Sequence, residues 1–120
     1  MVENRGMTSA IRVAERKTMK YQLVLQFGAE SLEDFDRLVG LEDKLIEELG
    51  DVATVDGHDF GSGEFSIFVL TDDPLTVFDK AHRIVIDQRV PNVMRSAYRD
   101  MDSEDYVILW PSPLTEFSVL

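Results

Sequence analysis

The stretch VDGHDFGSGEFSIFVLTDDP, residues 55–74, decides how this chain folds. Its second half sets Phe65, Ile67 and Val69 at alternate positions, the period-two pattern of a half-buried strand. Gly61-Ser62-Gly63 comes just before, and a turn needing positive φ accounts for both glycines. Residues 52–70 therefore read as a β-hairpin with that tripeptide at its tip. Gly57 interrupts the outgoing strand and is the expected position of a bulge. Next, TDDP supplies Asp or Thr as an N-cap and Pro74 at or near the first helical position, so a helix follows directly.

Working outward, LTVFDKAHRIVIDQ carries an apolar stripe of Leu75, Phe78, Ala81 and Val85 with Val77 and Ile84 beside it, and Val90-Pro91-Asn92 is expected to end the helix. Upstream, YQLVLQF, residues 21–27, is β-rich, with Leu23, Leu25 and Phe27 on one face. SLEDFDRLVGLEDKLIEELG then reads as a long helix. Ser31 with Asp34 three residues on forms a variant capping box, and Gly50 suits the position just past the end. The stripe comprises Leu32, Phe35, Leu38, Val39, Leu45, Ile46 and Leu49, and the opposite face is acidic. Gly40, inside the helix, signals close packing or a bend. Two strands are expected at the end, VMRSAYR (93–99) and YVILW (106–110), joined by the acidic turn DMDSED and closed by Pro111-Ser-Pro113.

The order β-α-β-β-α-β with an extra final strand predicts an α+β protein: a ferredoxin-like βαββαβ sandwich whose antiparallel sheet carries two helices on one face. Residues 20–120 form the single domain. Residues 1–19 are polar and basic, and read as a flexible tail or as an extension upstream of a start at Met19. The other sheet face is left to solvent, a ligand or a second subunit. Phe68 and Leu70, joined by Phe60, are expected to line it and to favour a homodimer.

Charge is the strongest bulk signal. The 120 residues hold 23 acids and 12 bases, a net −11, and the first twenty residues carry five of those bases against two acids. An acidic body repels phosphates and anionic lipids, which excludes nucleic acid and membrane surfaces as partners and favours a basic protein. The chain has no cysteine, so disulfides, thiolate metal sites and cysteine nucleophiles are ruled out. No apolar run approaches the roughly 20 residues of a spanning helix, and no signal-like segment precedes the first strand. A soluble, cytoplasmic protein is expected.

Asp56, His58, Asp59 and Glu64 are the candidate site. A histidine flanked by acids is a suitable general base, with His58, Asp59 and Glu64 as the catalytic candidates. The same groups serve equally well to tie a hairpin together through hydrogen bonds to its backbone. In a regular strand Asp56 and His58 share one face while Asp59 takes the other, and Glu64 lies near His58 or Phe60 according to register. Neither a metal nor a cofactor is expected, because the chain's two histidines, His58 and His82, lack any short ligand spacing. Gly61-Ser62-Gly63 is followed by strand residues rather than a helix, which argues against a phosphate loop. His82 beside its apolar stripe reads as a packed boundary residue, and Trp110 as a core or sheet-edge cover. Arg95 and Arg99, on one strand face, are expected to bind the acidic hairpin or a small anion.

The hairpin, with LEDKLIEELG before it and AYRDMDSEDYVILWP after it, resembles a group of small bacterial proteins of ferredoxin-like fold with a GHD-x-G-x-GE hairpin. That resemblance implies a bacterial cytoplasmic protein and brings no established activity. The reading leans toward a non-catalytic binding module. An enzyme or metal-dependent protein centred on His58 and a small-molecule-sensing regulatory domain are the alternatives.

Overall fold

The computed structural model describes residues 19–111. The tail expected over 1–19 therefore lies, apart from Met19, outside the described residues. Seven elements follow in order: β1 (Tyr21–Gly28), α1 (Leu32–Leu49), β2 (Thr54–Gly61), β3 (Glu64–Thr71), α2 (Pro74–Asp87), β4 (Met94–Asp100) and β5 (Val107–Trp110). The strands form one sheet in the order β2-β3-β1-β4-β5, and every neighbouring pair is antiparallel. This is an α+β architecture of five strands and two helices.

Strand alternation selects the core. Leu23, Leu25 and Phe27 of β1 and Phe65, Ile67 and Val69 of β3 join Met94 on one face of the sheet. Leu38, Leu41, Leu45 and Leu49 from α1 and Val77, Ala81, Ile84 and Val85 from α2 close over that face. Each fully buried Leu, Ile or Phe there contributes about 1.5–3 kcal/mol through removal of apolar surface from water. On the reverse face Val24 stands between Phe68 and Ala97, and Gln26 between Ser66 and Arg95.

Both helix starts are built by side chains. Ser31 Oγ accepts from the Asp34 amide at 3.0 Å, and Asp34 Oδ2 accepts from the Glu30 amide at 3.1 Å. One orphan donor of the first turn, the Asp34 amide, and the Glu30 amide just before the cap residue are thereby satisfied. The Glu30 amide, assisted by Asn92, Arg37 and Ser31, holds the Asp34 carboxyl below the usual carboxylate range. At α2, Asp73 Oδ1 accepts from the Thr76 amide at 3.2 Å and Pro74 opens the helix.

Several expectations are corrected. The buried stripe of α1 runs through Leu38, Leu41, Glu42, Leu45 and Leu49, while Leu32 is 75% and Ile46 53% exposed. The buried stripe keeps Leu38, Leu45 and Leu49 but is rotated toward Leu41, because the core sits beneath Leu41 as well as Leu45. Gly40 is exposed with open space where a Cβ would project, so no element packs closely on it. Leu75 is also exposed; Pro74 and Val77 point inward in its place. Finally, α2 stops at Asp87, ahead of Val90-Pro91-Asn92, with Arg89 turning the chain at a φ of 54°.

Candidate functional site

The β2–β3 turn sets the geometry of the candidate residues. Ser62 and Gly63 both have positive φ, 54° and 77°, the signature of a two-residue type I′ turn. Gly61 is paired within the strand, so the first left-handed position falls to Ser62 rather than to a glycine. The tight turn locks the register: Gly61 opposes Glu64, Phe60 opposes Phe65, Asp59 opposes Ser66 and His58 opposes Ile67. Glu64 is thus opposite neither His58 nor Phe60. A bulge between Val55 and Gly57, with Gly57 at a φ of 121°, leaves Asp56 out of the ladder.

Alternation from this register divides the candidates between the two sides of the sheet. His58 and Phe60 lie with Ile67 and Phe65 on the helix side, and Asp59 and Glu64 lie on the reverse. Phe60 therefore does not join Phe68 and Leu70, as its spacing from the turn shows. It meets Phe35 of α1, with ring centroids 5.0 Å apart, and remains 46% exposed.

His58 has a partner that the sequence reading missed. Its Nδ1 donates to Glu42 Oε1 at 2.7 Å, and its ring stacks on Phe65 at 4.5 Å with 19° between planes. The Glu42 side chain is only 10% exposed and that of His58 30%. A carboxylate so nearly buried is costly unless hydrogen-bonded, and His58 meets that need. The signal for Glu42 was positional: it lies four residues after Leu38 and three before Leu45, in the middle of the buried stripe.

Behind the sheet, Arg95 Nη2 donates to Glu64 Oε2 at 2.7 Å, the expected pairing with the hairpin. Arg99 serves the β4–β5 loop instead: Nε donates to Gln22 Oε1 at 3.0 Å and Nη1 to the Ser103 carbonyl at 3.0 Å. An open cavity of about 370 Å³ touches Gln26, Ser62, Glu64, Val93 and Arg95, and one of about 130 Å³ touches Asp59, Ser62, Glu64 and Ser66. His58 lines neither. Among the described residues no group of three or more His, Asp or Glu side chains is arranged to hold a metal ion.

At the far margin, His82 is partly buried between Phe78 and Trp110, at ring distances of 5.3 and 4.7 Å. Trp110 is a cover at the edge, not core. Lys44 of α1 is engaged with Glu48 and Glu47, which raise its pKa above the ordinary lysine value. No helix among the described residues is long and apolar enough to cross a membrane. No family model, curated protein or solved structure matches this chain.

Proposed function

We propose that the protein is a non-catalytic binding module for a basic protein, built on a ferredoxin-like βαββαβ sandwich with a fifth strand beside β4. The order β2-β3-β1-β4, antiparallel throughout and with one helical layer over the core face, supports the fold. A bacterial, cytoplasmic setting and kinship with the GHD-x-G-x-GE group belong to the same reading.

The observation that carries the functional part is the division of the hairpin's polar residues by the sheet. His58 is committed to Glu42 and Glu64 to Arg95, so they do not converge on a common reacting position. By contrast, Asp36, Asp43, Glu47, Asp56 and Asp59 are all exposed on α1 and β2. Such a surface steers a cationic partner more readily than it binds anything else.

Affinity capture from the source cell's lysate tests this at about 50 and 500 mM salt, which bracket the range over which surface charges become screened. Retention of a basic protein in equal amount, lost at the higher salt, is expected, and His58→Ala should retain it while lowering thermal stability. Capture of no basic protein overturns the reading. A fold-neutral loss of some turnover in His58→Ala would favour an enzyme. A homodimer through the reverse face is the second reading, supported by the partly exposed Phe68 and Leu70 there. Light scattering that finds a monomer at micromolar concentration would remove it.

A further inference from the structure

Among the described residues β2 forms one margin of the sheet, with no strand on its outer side. Asp56 and residues 58–61 along it are exposed. An unpaired row of backbone amides and carbonyls is a template for another strand. The bulge at Asp56 blunts only the first half of the edge.

Helix α1 borders this margin. Glu42 reaches His58, and Phe35 meets both His58 and Phe60, which identifies the flank of the helix turned toward β2. Val39 and Ile46 lie three residues before and four after Glu42 and share that flank. Phe60, Phe35, Val39 and the exposed Ile46 therefore form an apolar flank beside the open strand edge. Asp36, Asp43 and Glu47 follow next around the helix, and Asp56 and Asp59 lie on the strand itself. Lys44 sits farther round, already bound to Glu47 and Glu48.

We infer that the β2 edge receives an extended segment of a partner protein as a sixth strand, with apolar and basic residues alternating along that segment. This rests on the reading of the chain as a module for a basic partner, and specifies where and how that partner binds. A strand added at the usual spacing of about 4.8 Å places every second side chain on the helix side, against Phe60 and Ile46. The intervening side chains emerge on the side of Asp59, where Lys or Arg is complementary. A second copy of this chain is the poorer occupant, since antiparallel pairing of β2 with itself about its middle sets Asp56 of each copy near Asp59 of the other, like charge against like charge.

The test is an amide-shift titration of the full, isotope-labelled chain with the peptide acetyl-VKVKVKV-amide. In an extended peptide successive amides point to opposite edges, so two N-methylated versions are made, one for each edge. Shifts concentrated in 54–61 and on the Phe35–Ile46 flank are expected, and one N-methylation pattern should weaken binding at least about tenfold while the other leaves it unchanged. Phe60→Ser and Ile46→Asp, both at exposed positions, should each weaken it about tenfold without altering the rest of the spectrum. Equal binding of both methylated peptides, with shifts over the outer acids of α1, overturns strand addition and leaves the basic-partner reading standing. No shift at millimolar peptide likewise overturns strand addition, while the lysate capture decides the broader reading on its own. A self-association detected by light scattering and abolished by Phe60→Ser would assign the edge to a second copy and overturn the inference.

Discussion

His58 and Glu42 are joined across the seam between β2 and α1, Nδ1 to Oε1 at 2.7 Å, with Phe65 stacked beneath the imidazole. The pair fastens the edge strand to the helix above it. A double-mutant cycle on His58→Ala and Glu42→Ala should give a coupling energy of about 1 kcal/mol or more in urea unfolding, the range for contacting, partly buried groups. Additive single-mutant effects would mean that the contact contributes nothing.

Gly40 offers a stabilising substitution. It lies inside α1, exposed, with no atom near the position of an added Cβ. Gly40→Ala should raise stability by about 0.5–1 kcal/mol, since alanine forfeits less backbone entropy in a helix. A fall in the urea midpoint would show that the glycine has a packing role after all.

The hairpin separates backbone effects from side-chain effects. Gly57 has a φ of 121° and open space around it, so Gly57→Ala should lose about 1 kcal/mol or more through backbone strain alone. Gly61 has open space and no positive φ, and Gly61→Ala should be nearly neutral. Ser62, at a φ of 54°, should accept asparagine with a gain of a few tenths of a kcal/mol, as type I′ turns favour Asn-Gly. Thermal unfolding of the three variants checks the ranking.

Asp34 supplies a pH dependence with a definite sign. Its folded pKa is depressed by the Glu30 amide, so its contribution is present above the unfolded carboxylate value and is lost as pH falls through the folded one. Carbon-detected titration should place its midpoint below that of an aspartate in a free peptide, and Ser31→Ala should move it partway back. A midpoint at the peptide value would deny the cap.

Much of the fold was legible because local signals agreed with one another. Ser31 and Gly50 bracket α1, Pro74 opens α2, and Phe65, Ile67 and Val69 alternate as a strand does. The site was less legible, for a specific reason. Strand faces depend on register, and register depended on whether Ser62 would take a left-handed conformation, a choice that composition does not announce. Once it does, Phe60 pairs with Phe65 and its ring turns toward α1. Glu42 was hidden because an acid in an acidic helix reads as solvent-facing, and only its partner on β2 makes burial tolerable. Leu32 and Ile46 show the reverse: apolar residues in the expected stripe that the core does not reach.

The two margins of the sheet are unequal. β5 is four residues long, its register against β4 slips between Ser96 and Ala97, and Pro111 follows it directly. β2 runs for eight residues and ends in a tight turn. Among the described residues, a strand added at β2 as proposed would find at β5 a short, irregular margin unlike the one it landed on. The proposed strand addition at β2, paired with so unlike a margin at β5, would therefore favour complexes of fixed stoichiometry over head-to-tail filaments.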